Sequence, residues 1–207
     1  ANAVKRSNRI YSNSINGLAK QDLNFLKKNK KQSSKLSSEI EDLREHTFYF
    51  IKNLEEAHIG ASNFYINAMG HLTDMSQSLE YIGKVSFNHV YNNHKKLKYN
   101  QIKELKEIDQ KLQEIFDRTQ ETFEKKSFDK IDAILNSKQE LYDLVLQKID
   151  RQVSRTRTEE SSPKNTTLYF SLLLETRDLM TAMMDLLEQY YQEYDSSVPP
   201  AKIEQEQ

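Results

Sequence analysis

The stretch Tyr91-Asn92-Asn93-His94-Lys95-Lys96-Leu97-Lys98 decides how the chain is read. Its centre, residues 92–96, is wholly polar and interrupts two long runs of apolar residues at helical spacing. Before it, residues 62–92 carry Tyr65, Met69, Leu72, Leu79, Ile82 and Val90. After it, residues 100–125 carry Ile102, Leu105, Ile108, Leu112, Ile115 and Phe116. Both runs read as amphipathic helices, with one apolar stripe and one solvated face. The polar stretch is therefore a turn between helices.

Outward from this turn the same period continues in both directions. Toward the N-terminus, helices are expected over 34–58 (Leu36, Ile40, Leu43, Phe48, Ile51, Leu54) and over 3–29 (Ile15, Leu18, Leu23, Leu26). Gly60 is expected to break the former. Lys27, Lys28, Lys30 and Lys31 are expected to sit at the end of the latter, where cations complement the helix dipole. Toward the C-terminus, Ser127 is placed as the cap of a helix over 128–157, marked by Ile131, Ile134, Leu141, Leu144, Val145 and Ile149. Residues 158–165 read as a loop. A last helix covers 166–194, with Leu172, Leu173, Leu179, Met183, Leu186 and Tyr190. From Ser196 the chain is polar, contains Pro199 and Pro200, and is expected to be disordered.

Three helices precede the turn and three follow it. The third and the sixth align at an offset of 104 residues: Tyr65 meets Tyr169, Met69 meets Leu173, Asp74 meets Asp178, Leu79 meets Met183, and Ile82 meets Leu186. The expected fold is all-α, with two tandem three-helix bundles packed together. The expected units are residues 1–98 and 99–195, followed by the tail at 196–207.

Composition supports this reading. Of 207 residues, 37% are apolar and 29% charged, a mixture suited to amphipathic helices. Pro163, Pro199 and Pro200 are the only prolines, so nothing of that kind interrupts the first 162 residues. Strand-period alternation and hairpin turn signals are missing. Thirty Lys and Arg balance 31 Asp and Glu, so overall charge makes no case for nucleic acid. Without cysteine there is no disulfide, thiolate metal site or cysteine nucleophile. No apolar run approaches the roughly 18 residues of a membrane span. The chain begins at Ala1 rather than Met, as a processed chain or a piece of a longer one would.

Catalytic signatures are absent: no G-x-S-x-G, no P-loop and no H-E-x-x-H occurs. A ferritin-like di-metal centre needs two Glu-x-x-His pairs, and Glu55 with His58 is the only one. That pair reads as a solvated helix end. The expectation is a protein that is not an enzyme.

Three constellations remain. His71 and Asp74, spaced i, i+3, share a helix face, and Glu175 and Asp178 occupy the matching places in the second half. They read as a solvated polar face or as two equivalent oxygen-rich surfaces for an ion. His94, Lys95, Lys96 and Lys98 form one basic cluster, and Arg151, Arg155 and Arg157 another. Both suit dipole compensation, or contact with an anion, an acidic lipid or a protein partner. Met180, Met183 and Met184 read as packing residues.

Three stretches resemble the PhoU-like family of phosphate-transport regulators. They are Phe64-Tyr65-Ile66-Asn67-Ala68-Met69-Gly70-His71-Leu72 on to Ile82, His89-Val90-Tyr91-Asn92-Asn93-His94-Lys95-Lys96-Leu97, and Leu168-Tyr169-Phe170-Ser171-Leu172-Leu173-Leu174-Glu175-Thr176-Arg177-Asp178-Leu179. The similarity is greatest to the PhoU-like region found beside, or fused to, bacterial phosphate transporters. It implies two tandem three-helix bundles and a non-enzymatic regulatory role. The implied partner is a membrane phosphate transporter, engaged in cis or in trans from the cytoplasmic face. Nucleic acid is not an expected partner, and exposed apolar residues leave room for a homodimer. Members of the family carry an acidic metal-binding motif once per repeat. Here those positions fall on Thr73 and Gln77 and on Arg177 and Thr181. No cofactor is therefore expected. A divalent or trivalent metal held by His71, Asp74, Glu175 and Asp178 is the alternative, and a helical scaffold unrelated to phosphate is another.

Overall fold

The structure is a computed structural model that describes residues 1–53 and 59–194. Helix α1 spans Asn2–Lys20, α2 Leu23–Lys52, α3 Ile59–Tyr91 and α4 Tyr99–Lys125. A 3-10 turn at Phe128–Lys130 leads into the short α5, Ile131–Leu135. Helix α6 spans Lys138–Arg157 and α7 Pro163–Tyr194. The all-α expectation holds, and no strand occurs among the described residues.

Helices α1, α2 and α3 pack on one another, while α4 packs on α5 and α6, and these two pack on α7. The two groups meet along two seams, α1 on α4 and α3 on α7. Their buried side chains form one continuous core running from Val4 through Leu79, Ile82, Leu105 and Phe116 to Leu186 and Leu187. Met180, Met183 and Met184 are fully buried within it, as packing residues. Polar bonds pin the two groups together. The Tyr11 and Thr176 hydroxyls share a buried hydrogen bond of 2.8 Å. Ser12 donates to Asp109 at 2.7 Å, and Gln113 donates to both Ser12 and Asp109.

Several boundaries differ from expectation. The first helix ends at Lys20, nine residues before the expected position 29. Gln21 adopts the left-handed conformation (φ 50°) and Asp22 caps α2, accepting from the Phe25 amide at 3.1 Å. Lys27, Lys28, Lys30 and Lys31 consequently lie near the start of α2 rather than at a helix end. They cannot compensate a C-terminal dipole there. Gly60 lies within α3, and residues 54–58 before it lie outside the described residues. The expected helix over 128–157 is split at Asn136 and Ser137. Ser127 makes no side-chain capping bond. Pro163 starts α7, where its missing amide hydrogen costs nothing.

The apolar marks also divide. Leu43, Phe48, Tyr49 and Phe50 at the far end of α2 are exposed, as are Tyr65 and Ile66 opposite them on α3. Tyr65 and Tyr169, matched by the 104-residue offset, differ in environment: Tyr65 is 44% exposed and Tyr169 is fully buried. Leu79 and Met183, and Ile82 and Leu186, are buried at both matched places. Leu54, the Glu55 and His58 pair, and the 196–207 tail lie outside the described residues.

Candidate functional site

Helices α3 and α7 pack along much of their length, which brings the matched acidic positions onto one surface. Asp74, Gln77, Ser78 and Tyr81 from α3 line a groove with Glu175, Asp178, Thr181 and Asp185 from α7. Sequence reasoning expected two equivalent surfaces, one per half. Packing merges them into one. His71 is not part of this groove. It lines the neighbouring one with Asn67, Glu188 and Gln192, and Asp185 borders both.

Glu175 is the perturbed carboxylate of the groove. Partial burial pushes its pKa up, a hydrogen bond from Ser78 opposes that shift, and the nearby Asp178 charge adds to it. Gln77 and Thr181, where the PhoU-like motif has acids, also face this groove and bring no charge. The Thr73 hydroxyl is turned back to the Met69 carbonyl at 2.8 Å, and that of Thr181 to the Arg177 carbonyl at 2.9 Å. Among the described residues, no three His, Asp or Glu side chains are placed to hold a metal ion together. The quartet of His71, Asp74, Glu175 and Asp178 does not assemble into a ligand set.

The basic clusters behave differently from one another. The turn after α3 is held firmly although it contains no glycine or proline. Asn93 takes a left-handed conformation (φ 55°), and the His94 amide donates to the His89 carbonyl at 3.1 Å. The His89 ring is buried and bonds the Lys95 carbonyl at 2.8 Å, so the neutral ring must donate from Nε2. Its pKa is lowered by burial, which outweighs the opposing effect of that bond. Asn165 donates to the Lys96 carbonyl at 3.1 Å, Leu97 is buried, and the Lys98 amide donates to Gln101 at 3.0 Å. Backbone groups hold the turn, so the Lys95, Lys96 and Lys98 side chains project outward, exposed. His94 packs edge-on against His89, ring centres 5.1 Å apart, and is half-buried.

The arginine cluster is divided. Arg151 and Arg157 are exposed. Arg155 is turned inward instead. Its guanidinium bonds both carboxylate oxygens of buried Glu104, reaches Gln152 at 2.9 Å and covers the Tyr169 ring. It fixes α6 to α4 and is not available to an external anion, which corrects the expectation for this residue.

No family model matches the sequence, and no curated protein matches it either. Solved structures do. PhoU from Pseudomonas aeruginosa superposes with a TM-score of 0.76 at 8% identity, over 94% of this chain and 92% of that one. The phosphate transport system regulatory protein PhoU from Streptococcus pneumoniae superposes with a TM-score of 0.75 at 10% identity, over 96% and 93%. The chain has the PhoU fold. At such identities the likeness establishes the architecture alone.

Proposed function

We propose that this chain is a non-enzymatic regulatory module of phosphate transport, acting on a membrane phosphate transporter from the cytoplasmic side. The observation that carries the reading is the agreement of fold over more than nine-tenths of both chains with two PhoU proteins, one described as a phosphate transport system regulator. Sequence resemblance at the turn around Asn92 to Lys96 points the same way. The described residues include no helix long and apolar enough to cross a membrane.

Regulation of this kind needs a surface that binds one transporter state more tightly than the other. The turn from His94 to Lys98 suits that task, being rigid in backbone and exposed in its lysines. Arg157 stands at the neighbouring corner, whereas Arg155 is already engaged by Glu104. Exposed Leu43, Phe48, Tyr49 and Phe50 offer an apolar surface through which two such modules would pair. A photo-crosslinking residue placed at position 96 in living cells tests the contact. The reading expects an adduct with a phosphate transporter. Adducts confined to other proteins, at expression levels that support phosphate growth, would contradict it.

A further inference from the structure

Three corners of the fold come together at one end of the bundle. Helices α2 and α3 run antiparallel in a fixed register: Ser34 bonds Glu80, and Lys30 lies over the Phe87 ring. That register carries the start of α2 level with Tyr91. Helices α1 and α4 are likewise antiparallel, with Asn8 against Asp117 and Ser12 against Asp109, so the end of α1 comes level with the start of α4. Gln101 bonds Ser161, and Asn165 bonds the Lys96 carbonyl, which brings the α6–α7 turn to the same place.

This end is strongly basic in a chain of net charge −1. Segments 20–28, 91–103 and 157–164 hold nine Lys and Arg against three Asp and Glu. The remainder of the chain holds 21 against 28. All nine basic side chains are exposed. Apolar side chains stand among them in the open: Leu23 and Phe25 at 37% exposure, Tyr91 at 62% and Tyr99 at 79%.

We propose that this end docks on an anionic lipid bilayer, with lysines on headgroup phosphates and Tyr91, Tyr99, Leu23 and Phe25 at the interface. Polybasic segments are drawn to anionic leaflets, and tyrosine favours the headgroup level, where its ring is sheltered and its hydroxyl wet. Charge is spread over three corners of a helical-bundle end rather than along one helix that could lie in a nucleic-acid groove. The bundle would stand with its helices steeply inclined to the membrane. The inference does not depend on the regulatory reading, because lipid alone is the partner.

Vesicle sedimentation of the purified chain tests it. Vesicles of phosphatidylcholine with about 30% phosphatidylglycerol should bind the chain, pure phosphatidylcholine should not, and added salt should release it. Lys95→Glu with Lys96→Glu should weaken binding by more than about tenfold, since each cation near such a surface matters. Lys5→Glu with Arg9→Glu changes net charge equally on exposed residues of α1 away from this end, and should leave binding near its original strength. Circular dichroism confirms that each variant is folded. Tyr99→Ser should weaken binding without altering its salt dependence. Equal loss from both charge reversals, equal binding to neutral vesicles, or no binding at low salt would each overturn the proposal. So would tighter binding to a random DNA duplex, which would make nucleic acid the partner.

Discussion

Arg155 illustrates how burial decides the role of a single residue. Its sequence neighbours Arg151 and Arg157 look equivalent to it, yet it alone meets a carboxylate, Glu104, whose side chain is 5% exposed. Removing one partner of a buried pair leaves the other charge without water or counterion. Arg155→Ala should therefore cost about 3 kcal/mol of stability, read by chemical denaturation. Arg155→Met combined with Glu104→Leu should recover most of that loss, because the desolvation penalty disappears with the pair. His89 supplies a pH-dependent contact of opposite character. Its folded pKa lies below its ordinary value of 6.5, so the unfolded chain binds the proton more readily. Its stabilising contribution is thus complete above about pH 6.5 and declines as pH falls from there toward the lowered folded pKa. Amide exchange in residues 92–98 should accelerate over that window, and His89→Gln should remove the dependence.

At the scale of elements, the limits of sequence reading have particular causes. The central turn was legible because five consecutive polar residues break two clear helical stripes. The α1–α2 corner was not. It uses Gln21 in a left-handed conformation where glycine is usual, and the apolar spacing of Leu18, Leu23 and Leu26 runs straight across it. Asp22, three residues before Phe25, was the available signal. Asp22→Ala should cost about 1 kcal/mol, because its carboxylate caps the Phe25 amide. Ser127→Ala should cost little by comparison, since the Ser127 hydroxyl is buried without a partner and caps nothing. Thermal denaturation of the two variants under one set of conditions checks the contrast. The acidic groove was half legible. Helical spacing identifies Asp74, Glu175 and Asp178, but only the packing of α3 on α7 shows that they share one surface with Asp185 and leave His71 aside.

For the whole molecule, one continuous core joins the two groups of helices, and the ends of the bundle differ in chemistry. One end carries exposed apolar side chains on α2 and α3, the other a concentration of lysines with tyrosines between them. Neither polarity is visible in the composition, because 30 cations and 31 anions nearly cancel. The basic end could have been found by placing every second helix terminus at the same end of an antiparallel bundle. That step requires the correct α1–α2 corner, which the apolar pattern conceals. Initial-rate phosphate uptake tests the regulatory account most directly, in cells with and without this coding region at matched transporter levels. The account predicts a changed rate, under scarce or plentiful phosphate, that returns when the region is restored. An unchanged rate under both conditions would contradict it.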